Sequence, residues 1–143
     1  MNYGNEIPQL GYGVWQVEDD VAEKVVQQAL DTGFRHVDTA QIYGNEAGVG
    51  KALANSSVNE NDVFVTTKVW NDKHDFEAAQ ESFEVSMEKL GLSKPLDLLL
   101  IHWAKPAQGK YLEAWKALID VQKQGRVTWP SRARRSGSHP DWS

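Results

Sequence analysis

Four polar residues of this sequence have side chains that together could donate a proton to a carbonyl oxygen: Asp38, Tyr43, Lys68 and His102. A lysine cation beside a phenol stabilises the phenolate that proton donation leaves behind, and a nearby carboxylate keeps that lysine charged and oriented. An imidazole can hydrogen-bond the substrate oxygen. If the four groups converge, Tyr43 can therefore act as a general acid toward an oxygen on which charge develops.

Each of the four residues also has a structural interpretation. Asp38 could cap a loop, Lys68 could be a solvated residue after a strand, Tyr43 could pack in its loop, and His102 could be a hydrogen-bonded histidine at a strand end. Taken singly, these interpretations are favoured. Taken together, four such groups at consecutive strand ends favour a catalytic site.

The elements that would position these residues follow from the hydrophobic pattern. Apolar residues recur at helical spacing from Ala22 to Leu30, and Gly33 marks the end of that helix. Residues 63–67 are β-branched or aromatic, and residues 98–101 are all apolar, as expected of strands buried in a parallel sheet. Residues 9–15 predict another short strand, and Gly4-Asn5 predicts a small hairpin near the N-terminus.

The order of these elements predicts four strand–helix units after the hairpin, hence an α/β fold with a parallel sheet and right-handed crossovers. In such folds the carboxyl ends of the strands lie at one edge of the sheet, where catalytic sites are found. A complete barrel of eight units needs at least about 200 residues. The 143 residues of this chain therefore supply half of one.

Composition narrows the class of protein. The net charge is −5 and no basic stripe is present, which argues against nucleic acid as a partner. No apolar run is long enough to cross a membrane. The absence of cysteine excludes disulfides and thiolate metal sites and fits a cytoplasmic location. The histidines show no metal-ligand spacing, which disfavours a metal-dependent barrel hydrolase.

Several segments of the sequence resemble the aldo-keto reductases. They are Gly-Tyr-Gly-Val-Trp at residues 11–15, Asp-Thr-Ala-Gln-Ile-Tyr-Gly-Asn-Glu at 38–46, Thr-Thr-Lys-Val-Trp-Asn at 66–71 and Leu-Leu-Ile-His-Trp at 99–103. The order and spacing of these segments match the family from about Ile7 to Val127. Within the family, the chain most resembles the bacterial reductases of 2,5-diketo-D-gluconate and of glyoxal or methylglyoxal.

The resemblance implies a (β/α)₈ barrel whose N-terminal half is present here, and an NADPH-dependent reduction of aldehydes and ketones without metal. It implies a catalytic tetrad with Tyr43 as the proton donor. By position, the substrate would contact three tryptophans, and the cofactor would contact four residues near its nicotinamide and ribose. The catalytic residues are Asp38, Tyr43, Lys68 and His102, the substrate residues are Trp15, Trp70 and Trp103, and the cofactor residues are Val14, Trp15, Asp38 and His102.

The C-terminal residues depart from the family pattern. After Thr128 the sequence contains prolines, serines and arginines, and its apolar residues recur at neither helical nor strand spacing. We therefore expect a half barrel at residues 1–127 and an irregular or disordered tail at residues 128–143. The tail would originate from a shifted reading frame, an early stop or a cloning junction. Most of the NADPH-binding site would then be missing from this chain.

Two functions fit these observations. The first is an NADPH-dependent carbonyl reductase that acts on a small carbonyl substrate, here truncated and with its activity in question. The second is a non-catalytic half-barrel scaffold or interaction fragment. Because a half sheet leaves two unpaired edges and an open interior, we also expect self-association.

Overall fold

The computed structural model describes residues 6–131. Strands and helices alternate along the whole of this range. The strands are β1 (Tyr12–Gly13), β2 (His36–Asp38), β3 (Phe64–Val69), β4 (Leu96–Ile101) and β5 (Val127–Ser131). The helices are α1 (Asp19–Asp31), α2 (Glu46–Asn55), α3 (Phe76–Leu90) and α4 (Tyr111–Lys123).

The five strands form one parallel sheet in the order β1-β2-β3-β4-β5. Each helix connects two neighbouring strands, and consecutive helices pack on each other. With every crossover of the same hand, the helices lie on one face of the sheet and leave the other face open. This arrangement confirms the predicted α/β fold, the N-terminal half of a (β/α)₈ barrel.

The core lies between the sheet and the helices. Alternate strand residues point into it, because successive side chains of a strand face opposite sides. Both layers contribute large, fully buried side chains, among them Val37, Val65 and Leu99 from the strands and Val26, Val49, Phe83 and Leu118 from the helices. The opposite, concave face carries His36, Phe64, Leu98, Leu100 and Trp129.

Two glycines let α2 approach its neighbouring helices closely. A Cβ atom at Gly50 would lie 2.6 Å from the carbonyl oxygens of Lys89 and Leu90 at the end of α3. A Cβ atom at Gly48 would lie 2.4 Å from the carbonyl oxygen of Asp19 in α1. Because these two glycines have no side chain, α2 can lie in direct contact with both α1 and α3.

The first strand is shorter than the sequence indicates. The predicted strand at residues 9–15 is reduced to Tyr12–Gly13. Gly11 passes directly over the His36 ring, where a Cβ atom would lie 2.8 Å from Nδ1. The chain then turns at Gln16, whose φ is +62°. Most of the predicted N-terminal hairpin lies outside the described residues.

The boundary predicted at residue 127 falls at the first residue of a strand. Residues 127–131 form β5, which pairs in parallel with β4 through Leu98↔Trp129 and Leu99↔Pro130. Strands pair through backbone hydrogen bonds, which do not require alternating apolar side chains. A proline, which has no N–H group to donate, is tolerated in a strand at the edge of a sheet. The rest of the predicted tail, residues 132–143, lies outside the described residues.

Candidate active site

Three of the four candidate catalytic residues lie where neighbouring strands end. Asp38 is the last residue of β2, Lys68 is the next-to-last residue of β3, and His102 directly follows β4. Tyr43 lies in a single 3-10 turn, Gln41–Tyr43, that follows β2. Because the strands are parallel neighbours, these residues share one edge of the sheet.

Lys68 is the centre of the cluster. Its Nζ atom lies 2.5 Å from Asp38 Oδ1 and donates a further hydrogen bond of 2.9 Å to the carbonyl oxygen of Thr39. The same atom lies 3.4 Å from the Tyr43 hydroxyl oxygen. The lysine side chain is only 12% exposed, whereas that of Asp38 is 34% exposed. Lys68 therefore links the carboxylate to the phenol from a mostly buried position.

The direction of these hydrogen bonds leaves the Tyr43 proton available. An ammonium group has donors only, so the Tyr43 oxygen accepts from Lys68. The phenolic proton can then be donated to another molecule, and the ammonium remains in place to stabilise the resulting phenolate. This geometry is the one required of a tyrosine general acid.

His102 lies next to Tyr43. The two rings meet edge to face, with centroids 5.7 Å apart, and the His102 backbone N–H donates to the Val69 carbonyl oxygen at 3.0 Å. Burial lowers the pKa of His102, and the positive charge of Lys68 lowers it further, while Asp38 opposes the shift. Its Nδ1 atom is buried and has no hydrogen-bond partner among the described residues. The imidazole is therefore neutral at physiological pH.

The three tryptophans predicted to line a substrate pocket differ in position. Trp70 packs against the His102 ring edge to face at a centroid distance of 4.8 Å, and Trp103 stacks parallel to it at 6.4 Å. Trp15 is 67% exposed and makes no ring contact with the cluster in the part of the chain that the structure describes. The structure thus brings Trp70 and Trp103 to the cluster and leaves Trp15 on the rim.

Val14 and Trp15 are attached to the cluster through the backbone. The Val14 N–H donates to the Asp38 carbonyl oxygen at 3.1 Å, and Val14 itself is fully buried. The loop that carries Trp15 therefore begins directly beside Asp38.

Asn45 holds that loop in place, a role that the sequence did not reveal. An asparagine directly before a helix commonly caps it, but the Asn45 side chain makes no capping hydrogen bond to α2. Its Nδ2 atom instead donates to the carbonyl oxygens of Val14 and Val17, at 2.8 Å each, and Oδ1 accepts from Thr39 Oγ1 at 2.9 Å. Asn45 thus joins the β1–α1 loop to the residue after Asp38.

Glu46 is a second buried polar residue that sequence reasoning missed. It is 1% exposed, and its Oε1 atom accepts a 2.7 Å hydrogen bond from Thr67 Oγ1. The contact ties the start of α2 to β3 one residue before Lys68. The acidic residue at a helix start was visible in the sequence, but its distant partner was not.

Within residues 6–131, no three histidine or acidic side chains come together in a way that could hold a metal ion. None of the helices in this range has the length and apolar character to cross a membrane.

This chain is similar in sequence to known reductases. The model of the aldo/keto reductase family matches residues 8–129. The methylglyoxal reductase DkgA of Escherichia coli K12 is 48% identical to this chain over 124 residues, which are 87% of this chain and 44% of that protein.

Solved structures agree in fold. An aldo/keto reductase from Brucella melitensis superposes with a TM-score of 0.89 at 46% identity, covering 94% of this chain and 53% of that one. A mutant of Gox0644 in complex with NADPH superposes with a TM-score of 0.81 at 43% identity, covering 88% and 45%. The chain spans about half the length of the curated relatives it matches.

Proposed function

Because this chain belongs to the aldo/keto reductase family, we propose that it carries the proton-donating half of an NADPH-dependent reductase of small aldehydes and ketones. The observation that carries the proposal is the position of Lys68 Nζ, 2.5 Å from Asp38 and 3.4 Å from the Tyr43 hydroxyl, beside the neutral His102. These are the groups needed to protonate a carbonyl oxygen as it gains charge.

Each residue has one role in the proposed mechanism. The substrate carbonyl oxygen accepts hydrogen bonds from Tyr43 and His102. As the carbonyl carbon is reduced, the oxygen takes the Tyr43 proton and becomes the alcohol. Lys68 stabilises the phenolate by its charge and hydrogen bond, and Asp38 holds Lys68 in position.

The residues at this rim fit the reacting end of the cofactor. Val14, Trp15, Asp38 and His102 would meet the nicotinamide and ribose, because the Val14 N–H donates to the Asp38 carbonyl oxygen and Trp15, the next residue, is exposed. NADPH supplies the hydride when it is bound. The Nδ1 atom of His102, buried and without a hydrogen-bond partner within residues 6–131, is available to a bound polar group.

For the substrate we propose methylglyoxal and aldehydes of similar size. Support comes from the 48% identity to the methylglyoxal reductase of Escherichia coli and from the aromatic wall that Trp70 and Trp103 form around His102. We also propose a cytoplasmic location, which fits the cysteine-free sequence. Recovery of the protein in a membrane or periplasmic fraction would contradict that location.

The decisive experiment combines NADPH binding with turnover. NADPH titration, followed by fluorescence, is expected to saturate, and methylglyoxal is expected to be reduced. Tyr43→Phe should lower kcat by at least about 100-fold, since general acid catalysis contributes about 10²–10⁴. Tyr111→Phe, at the start of α4, is the matched control and should retain kcat. Equal activity of Tyr43→Phe and wild type would refute the proposed role.

A second candidate function is a non-catalytic half barrel that associates through its open face. It is favoured by the partly buried apolar residues on the concave face, Leu98, Leu100 and Trp129. We propose self-association of the 143-residue chain under either function. Failure of this chain to bind NADPH would favour the non-catalytic candidate.

A further inference from the structure

The turn that carries Tyr43 lies beyond the end of β2, where the sheet no longer supports the backbone. Gln41–Tyr43 is a single 3-10 turn. The N–H groups of Tyr43 and Gly44 donate to carbonyl oxygens three residues earlier, at 2.9 Å and 3.2 Å. Backbone hydrogen bonds of this kind fix the shape of the turn, but they do not fix its distance from Lys68 in β3.

The contact between Tyr43 and Lys68 depends closely on that distance. Lys68 Nζ lies 2.5 Å from Asp38 Oδ1 and 2.9 Å from the Thr39 carbonyl oxygen, but 3.4 Å from the Tyr43 hydroxyl oxygen. A side-chain hydrogen bond is lost by about 3.6 Å. A small displacement of the turn away from β3 would therefore separate the phenol from the ammonium group.

Three side chains in the turn or just after it join this segment to other elements. Gln41 Oε1 accepts a 2.7 Å hydrogen bond from Ser82 in α3, and Asn45 bonds the β1–α1 loop. Glu46 Oε1 accepts a 2.7 Å hydrogen bond from Thr67 Oγ1. Of these three side chains, Glu46 is therefore the one whose partner lies in β3.

The hydrogen bond between Glu46 and Thr67 closes a ring that includes the proposed proton donor. Glu46 lies three residues after Tyr43, and Thr67 lies directly before Lys68. The chain links the two residues of each pair, and two hydrogen bonds, 2.7 Å and 3.4 Å long, complete the ring. Because the two bonds belong to one small ring, loss of the shorter one removes the nearest support of the longer one.

The burial of Glu46 is costly and calls for a role beyond stability. Glu46 is 1% exposed, Thr67 is fully buried, and Glu46 Oε2 has no hydrogen-bond partner within residues 6–131. Glutamate is rarely fully buried, because a carboxyl group removed from water without full pairing is destabilising. Natural proteins keep such unfavourable groups mainly at functional sites.

We propose that Glu46 is a positioning residue for proton donation. Its hydrogen bond to Thr67 holds the turn at the distance from β3 at which the Tyr43 hydroxyl accepts a hydrogen bond from Lys68. The effect on turnover rests on the proposed function, but the effect on the position of Tyr43 stands without it.

The first test observes Tyr43 directly, on the full chain without cofactor. Tyrosine labelled with ¹³C at Cζ gives four NMR signals, and Tyr43→Phe identifies the one from Tyr43. Lys68→Met gives the position of that signal without the ammonium group. Thr67→Val removes the hydroxyl that donates to Glu46 and should move the Tyr43 signal toward the Lys68→Met position. Thr67→Ser keeps a hydroxyl and should leave the signal where it is in the wild type.

Two further variants control for the loss of a buried hydrogen bond. Thr66→Val is the same substitution one residue earlier, where the hydroxyl lies 2.9 Å from His36 Nε2 on the opposite face of β3, and it should not move the Tyr43 signal. Glu46→Met combined with Thr67→Val removes the proposed link without leaving a carboxyl group unpaired, and it replaces Thr67→Val if that variant does not fold. An unchanged Tyr43 signal in the folded variant would overturn the proposal.

The second test is the turnover of methylglyoxal. Thr67→Val should lower kcat at least about tenfold, a share of the 10²–10⁴ that general acid catalysis contributes, and leave KM within about twofold of the wild type. Thr67→Ser should restore kcat. Equal kcat in Thr67→Val and an active wild type would also overturn the proposal. A chain whose Tyr43 signal moves as expected but that reduces no aldehyde would contradict the proposed function and leave the positioning role of Glu46 established.

Discussion

At the scale of single residues, the site depends on polar groups whose partners are distant in sequence. Lys68 contacts residues 25 to 30 positions away, and the Asn45 side chain contacts residues 28 and 31 positions away. A substitution at such a residue affects two elements at once. Asn45 is the clearest case, because it is fully buried and its side chain makes three hydrogen bonds.

Asn45→Ala is expected to destabilise the protein by about 2–4 kcal/mol. It leaves the Val14 carbonyl, the Val17 carbonyl and the Thr39 hydroxyl without this partner, and each unpaired buried polar group costs about 1–3 kcal/mol. Urea unfolding followed by circular dichroism measures the loss. Asn55→Ala is the matched control, since its hydrogen bond to Glu23 is exposed, and it should change stability by less than about 0.5 kcal/mol. Equal losses in the two variants would contradict the role given to Asn45.

The residues that could be anticipated from the sequence are those at strand ends. Asp38, Lys68 and His102 follow apolar runs, so parallel pairing alone places them at one edge. Asn45 lies in a connecting segment, where no periodicity specifies the direction of a side chain. Its burial depends on how two loops meet, which the local sequence does not determine. The functional roles of all these residues stay predictions.

At the scale of elements, α2 packs on α3 so closely that no side chain fits at Gly50. Gly50 lies in the interior of α2, against the last two carbonyl groups of α3. Helix propensity and tertiary packing oppose each other at this position. Alanine favours a helix over glycine by about 1 kcal/mol, but its Cβ would lie 2.6 Å from two backbone oxygens.

Gly50→Ala is therefore expected to destabilise the protein, although it improves the intrinsic propensity of α2. Backbone atoms at the end of a helix cannot move aside as a flexible side chain would, and overpacking costs about 1–3 kcal/mol. Thermal unfolding should show a lower Tm than wild type. A higher Tm would mean that propensity prevails and that α2 and α3 separate without cost.

The elements themselves were largely predictable. Helical spacing of apolar residues and a terminal glycine located α1, a run of β-branched and aromatic residues located β3, and a continuous apolar run located β4. The two edge strands were harder to predict, because β1 has only two residues and β5 contains a proline. Both edge strands form by backbone pairing with a longer neighbouring strand, β2 for β1 and β4 for β5.

At the scale of the whole molecule, the described sheet has two free edges and one open face. In residues 6–131, β1 and β5 each pair with a single strand. The concave face carries the partly buried side chains of Leu98, Leu100 and Trp129. A second copy related by a twofold axis parallel to the strands would place β5 of one chain beside β1 of the other, with the strands parallel. The open faces of the two copies would then cover each other.

The 143-residue chain is expected to be a dimer of twice its 16.1 kDa mass in size-exclusion chromatography with light scattering. Leu98→Glu should weaken the dimer, because it places a charge on the concave face. Leu112→Glu is the matched control, since Leu112 is 50% exposed on α4, on the opposite side of the sheet. A folded wild-type monomer would rule out self-association.

The strand order has a consequence for how the chain folds during its synthesis. Each strand pairs with the strand immediately before it in the chain, and each helix packs on the preceding helix. Each described unit after the first therefore docks on a unit that has already left the ribosome. Residues as far apart in the chain as Asp38 and His102 can be assembled one unit at a time, in the direction of translation.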